Sequence, residues 1–150
     1  MSDGPAFPAI ALDVGDVRIG VAISRSGVIA EPLLTIDRTA GRKQTLDALQ
    51  ALVEQHGAKC CVIGLPLLVG GAEGEQAEKT RAFSRSLARR LPRLSLHFFD
   101  ERYTSGDARD LIGRRAQSKG EIDRVAAAYI LQQFLDHLNE DKKKTEGAGT

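Results

Sequence analysis

Asp13 is the first residue whose chemistry conflicts with its surroundings, because it interrupts the otherwise apolar run Ala9-Ile10-Ala11-Leu12-Asp13-Val14. A carboxylate in such a strand costs several kcal/mol unless a cation or good donors meet it. A buried ion pair or a cap would satisfy it, and so would a ligand role. Two further acidic positions favour the last. Asp100-Glu101 closes the apolar run 94–99, and Asp123 falls in the first turn of the final helical pattern, where the helix dipole tolerates negative charge. An oxygen-only cluster of this kind suits Mg2+ or Mn2+. Two such ions roughly 3.5–4 Å apart can activate water and stabilise the leaving oxygen in phosphodiester hydrolysis.

The cations are placed for a polyanion. Residues 79–93 carry Lys79, Arg81, Arg85, Arg89, Arg90 and Arg93 with no acid among them. On a helix, Arg81, Arg85 and Arg89 form a stripe opposite Phe83, Leu87 and Leu91. Such a stripe is either a solvated outer face or a track for phosphates. Arg109, Arg114, Arg115, Lys119 and Arg124 form a second basic group near the acidic positions. Arg18 and Arg102 are candidate phosphate contacts, with an edge-strand charge and an internal ion pair as the respective alternatives. Gly15 and Gly20 flank a predicted hairpin; bare backbone there would admit a phosphate, or the two simply serve the turn and strand packing. With 5% aromatic residues and no tryptophan, base-stacking platforms are scarce, so recognition is expected to rest on shape and backbone. His56, His97 and His137 read as structural, and no nucleophilic Ser/His or Cys/His arrangement is present.

The elements that must position these groups can be read from periodicity. Residues 9–14 and 17–23 form two strands around the Gly15-Asp16 turn, and 28–36 form a third in which Pro32 calls for an edge position. Leu46, Leu49, Leu52 and Val53 recur at helical spacing from Arg42 to His56, and Gly57 marks the stop. The continuously apolar run 60–65 is a strand covered on both faces. A Gly-rich loop, a helix over 75–91 and a strand over 94–99 follow. Thr104 opens a short helix to Arg115, and Ser118 with Glu121 makes a capping box for the last helix. The order βββαβαβαα predicts three meandering antiparallel strands, then two crossover units that add parallel strands.

A chain of 150 residues with 42% hydrophobic and 27% charged residues suits one globular domain, expected over 1–138 with a polar, frayed tail over 139–150. The net charge of +1 points by itself to neither nucleic acid nor membrane. Cys60 and Cys61 are adjacent in a strand and point to opposite faces, so they are not placed to bridge each other. No stretch nears the roughly 20 apolar residues of a membrane span, and the expected location is cytoplasmic.

Six runs, LDVGDVRIGVAIS, EPLLTI, VIGLPLLVGG, GEQAEKTRAF, FDERYTS and KGEIDRVAAAYILQQFL, together resemble the YqgF/RuvX family over residues 9–136. The resemblance implies a ribonuclease H-like α/β fold related to the RuvC resolvases. It also implies a divalent-metal nuclease, acting either on the 5′ end of the 16S ribosomal RNA precursor or on Holliday junctions and other structured DNA. By similarity, the catalytic and metal-binding residues are Asp13, Glu101 and Asp123, with Asp100 the rival for the middle place, and the cofactor is Mg2+ or Mn2+. Gly15, Arg18, Arg102, Arg81, Arg85 and Arg124 are the candidate substrate contacts. The partner is nucleic acid, and the protein is a monomer or a homodimer. One departure stands out: Leu68 and Val69 occupy the loop after Gly64-Leu65-Pro66-Leu67, where the family pattern has a polar Asn and often an Asp.

Two other classes compete. Asp13-Val14-Gly15 before a hairpin also resembles the phosphate-binding turn of sugar kinases and actin-like ATPases, but that class needs a duplicated second half, for which this chain has no room. A noncatalytic RNA-binding assembly factor could keep the fold, though it would be expected to lose an acid from the triad.

Overall fold

The computed structural model describes residues 5–101, 114 and 118–148. Its strands are β1 (Ala9–Val14), β2 (Arg18–Ser24), β3 (Glu31–Asp37), β4 (Cys60–Leu65) and β5 (Ser95–Asp100), and its helices α1 (Arg42–His56), α2 (Glu75–Arg90) and α3 (Lys119–Ala148). They build one sheet in the order β3-β2-β1-β4-β5. The first three strands pair antiparallel, and β1, β4 and β5 run parallel, so β1 is central. Pro32 lies on edge strand β3, where the ladder shifts register at Val21/Ala22 and a missing N–H costs least.

Side-chain alternation divides the core into two layers. Ile10, Leu12, Ile19, Val21, Cys61 and Ile63 point toward α1 and α2, where Leu46, Leu49, Phe83 and Leu87 cover them. Ala9, Ala11, Ala22, Cys60 and Val62 point the other way, onto Ala127, Ile130, Leu131 and Leu135 of α3. Small residues on this second face let α3 lie close to the sheet. The two cysteines do fall on opposite faces, each buried and with its thiol pKa raised by desolvation.

Boundaries moved by one to three residues at β2, β3 and β5. The Ser118 hydroxyl accepts from the Glu121 N–H at 3.1 Å and caps α3 as expected. The larger difference is at the other end, where α3 continues to Ala148 through the stretch expected to fray from Asn139. Lys and Glu are good helix formers, and polarity alone does not stop a helix already nucleated on the sheet. Arg102, Arg109, Arg115 and nearly all of the short helix expected over 104–115 lie outside the described residues.

Candidate active site

Asp13 follows Ala9 and Ala11 on the α3 face of β1, at the strand's carboxyl end. On one side its antiparallel partner is Gly20. A Cβ added to Gly20 would stand 1.9 Å from the Asp123 carbonyl oxygen, so the backbone of α3 rests directly on β2 at that point. On the other side, extending the register beyond Leu12 and Ile63 brings Asp13 level with Gly64. A Cβ there would stand 2.6 Å from Glu101 Oε1, so the Glu101 carboxylate lies over that glycine. Asp13 therefore sits between two glycines, one covered by the residue that bears the second carboxylate and the other by the third carboxylate itself.

The same alternation separates Asp100 from Glu101. Leu96 packs toward α1 and α2, and Phe98 carries the Arg81 guanidinium of α2 at 4.6 Å from its ring centroid. Asp100 follows them onto that face, whereas Phe99 joins the α3 layer and Glu101 follows it. Glu101, rather than its rival, shares the face of Asp13.

The profile of the RuvX family, described as a Holliday junction resolvase, matches residues 8–137. The chain belongs to the RuvX family. It is 39% identical over 144 residues to a protein of Synechococcus elongatus named "Putative pre-16S rRNA nuclease", which covers 93% of this chain and 95% of the relative. A protein of the same name from Ruegeria pomeroyi is 44% identical over 142 residues, covering 89% and 90%. The solved structure of Thermus thermophilus RuvC in complex with a Holliday junction substrate aligns at TM-score 0.55 and 10% identity, over 87% of this chain and 94% of that one. At that identity it shows the fold, which is ribonuclease H-like.

In this RuvX-family chain the acidic side chains nearest Asp13 in the fold, Glu101 and Asp123, carry carboxylate oxygens, the donor chemistry a hard divalent cation takes. The two glycines let the Asp123 backbone and the Glu101 carboxylate approach the sheet on either side of Asp13, where a side chain would hold them off. Among the described residues no three His, Cys, Asp or Glu side chains stand close enough to hold one ion together. The disposition of Asp123 bears on this, because its Oδ2 accepts from Arg18 Nε at 2.6 Å. Arg18, considered above as a phosphate contact or an edge-strand charge, thus pairs with a carboxylate 105 residues away in sequence. The pair is partly exposed, at 35% and 21% of the two side chains.

Gly15 closes the hairpin. Its N–H donates to the Arg18 carbonyl at 2.9 Å, and a Cβ would stand 2.8 Å from that oxygen. Arg81 is held by Glu73 as well as by Phe98, while Arg85 is exposed. Arg124 is half-buried on α3 beside Gly120. The departing loop is closed by a Leu67↔Glu73 bridge, which leaves Leu68 and Val69 exposed at its tip.

Two features escaped the sequence reading. Gly64 reads only as the stem of a loop, although its bare Cα makes space for Glu101. Arg38 follows β3 as an ordinary surface cation, yet its Nη1 donates to the Gly15 carbonyl at 2.5 Å and its guanidinium lies 5.0 Å from the Phe83 ring centroid. Neither had a local signal, since both depend on residues distant in sequence.

Proposed function

We propose that this RuvX-family nuclease cleaves phosphodiester bonds at the carboxyl end of β1 on the α3 face, with Asp13, Glu101 and Asp123 as the residues that hold Mg2+ or Mn2+. The observation that carries the reading is the placement of Asp13 between Gly20 under Asp123 and Gly64 under Glu101. Bound there, a divalent cation would supply Lewis-acid stabilisation and an activated water. The protein's own part is positional. Asp13 is fixed by the central strand, Asp123 by backbone contact with β2, and Glu101 by the end of β5. Arg18 holds the Asp123 carboxylate and supplies positive charge beside a site that must receive a phosphate.

The favoured substrate is precursor 16S ribosomal RNA, after the name borne by relatives that match nearly the whole chain. The family's own description supports a four-way DNA junction as the second reading, and that reading requires a dimer with two sites. A cleavage assay on precursor RNA, single strands and a four-way junction, with Mg2+ or Mn2+, separates them. Asp13→Asn should fold normally and lose activity by at least about 10³-fold, the equivalent of several kcal/mol of transition-state stabilisation. Unchanged turnover in that variant would sink the carboxylate site.

A further inference from the structure

Val14 follows Asp13 in β1 and so faces the opposite side of the sheet, where it lines a cavity of about 230 Å³ with Asp16, Arg38, Arg42, Gln76, Lys79 and Phe83. Three of these side chains are cationic and one is acidic. Lys79 Nζ lies 3.8 Å from Asp16 and 3.7 Å from the outer Glu75. Arg38 and Arg42 form no ion pair among the described residues.

Among the described residues neither arginine has its charge neutralised, although the Gly15 carbonyl and the Phe83 ring hold the Arg38 guanidinium. Arg38 is half-buried, and desolvation, together with the neighbouring charge of Arg42, lowers its pKa against the opposing pull of Asp16. Arg42 begins α1, whose first turn contains no acid and whose N-cap, Gly41, provides no side-chain cap. A cation at the positive end of a helix dipole is disfavoured. An anion in the cavity would offset both penalties. The volume is below the roughly 300–1,000 Å³ of pockets that enclose drug-sized ligands. It suits a phosphate group more than a whole nucleotide.

We propose that the Arg38–Arg42–Lys79 cavity is a phosphate subsite for the nucleic-acid strand cut on the other face of the β1 end. The strand passes the Gly15 turn, with one phosphate at the carboxylates and a nearby one among the cations. This rests on the nuclease reading of Asp13 but concerns binding, which can be measured without cleavage.

The test uses the full chain in EDTA, with fluorescence anisotropy of a labelled single-stranded RNA carrying either a 5′-hydroxyl or a 5′-phosphate, titrated across salt concentration. Arg42→Ala/Lys79→Ala should weaken binding roughly tenfold and reduce the log–log salt slope by about 1. Its thermal stability should be unchanged or slightly higher. Lys59→Ala/Arg93→Ala, which removes equal charge at the opposite ends of β4 and β5, should bind within twofold of wild type. Equal loss for both RNAs identifies a backbone phosphate, and loss confined to the 5′-phosphorylated strand identifies a terminal one. Wild-type affinity in Arg42→Ala/Lys79→Ala, an equal loss in Lys59→Ala/Arg93→Ala, or no binding by the wild-type chain overturns the proposal. Asp13→Asn keeps the two readings apart: it should bind like wild type, and only its cleavage bears on the carboxylates.

Discussion

On the α3 side of the β1 end, the sheet gathers acidic residues about two glycines, the Asp123 backbone over Gly20 and the Glu101 carboxylate over Gly64; on the α1 and α2 side, it gathers guanidinium and ammonium groups around Phe83. The two regions meet at consecutive residues, Asp13 and Val14. Strand alternation is what separates them, because a period of two sends neighbours to opposite faces whatever their charge. Each side is also built differently. The acidic side is positioned by backbone, through α3 resting on Gly20, whereas the cationic side is positioned by long side chains that reach from the β3 end, α1 and α2. The acidic side should therefore be the more rigid and the less tolerant of added bulk.

The largest effect should come from challenging that rigidity. Gly20→Ala drives a methyl into the Asp123 backbone, which has no flexible end to move aside, and should cost about 1–3 kcal/mol in a denaturant melt along with most of the cleavage activity. Gly64→Ala meets only the ends of the Glu101 and Ile130 side chains, so its stability loss should be clearly smaller while cleavage still falls. Equal costs for the two would remove the distinction between backbone and side-chain positioning.

A smaller effect is expected at the pair that ties β2 to α3. Arg18→Ala should lower stability by less than about 1 kcal/mol, since the ion pair is partly exposed. Cleavage should fall several-fold more than that loss explains, and Arg18→Lys should restore part of it. A variant that cuts at the wild-type rate would make the pair a structural contact only.

The smallest effect concerns His97, on the α3 face of β5 two strands from β1. Desolvation lowers its pKa below the ordinary 6.5, with Ser95 Oγ at 2.8 Å and the Phe134 ring beside it. The unfolded chain binds that proton more readily, so the folded state loses stability as pH falls from 6.5 through the lowered folded pKa. His97→Gln should flatten this segment of a stability–pH curve. An unaltered slope would show that other groups set it.

The sequence disclosed most where periodicity acts locally. Continuous apolarity marked β4 as a strand covered on both faces, Pro32 marked an edge, and Leu46, Leu49 and Leu52 marked α1 to the residue. Asp13 was visible because a carboxylate in an apolar strand conflicts with its neighbours. The choice of Glu101 over Asp100 came from resemblance, and strand alternation supplies an independent physical reason for it. The Arg18–Asp123 pair, the space over Gly64 and the packing of Arg38 on Phe83 were not legible. Each joins segments whose approach is set by the sheet order, and no short window of sequence contains both partners. The length of α3 was misjudged for the reverse reason, because local polarity outweighed the cooperativity of a helix already anchored on the sheet.

Gly20 also sets a direction for change. Hydrogen is the smallest spacer available in the genetic code, and at Gly20 it alone separates the Asp123 backbone from β2. Every replacement at that position is thicker, so substitution can move Asp123 outward but never inward. The separation between Asp123 and β2 thus has a hard lower stop, and natural variation can only explore wider versions of it.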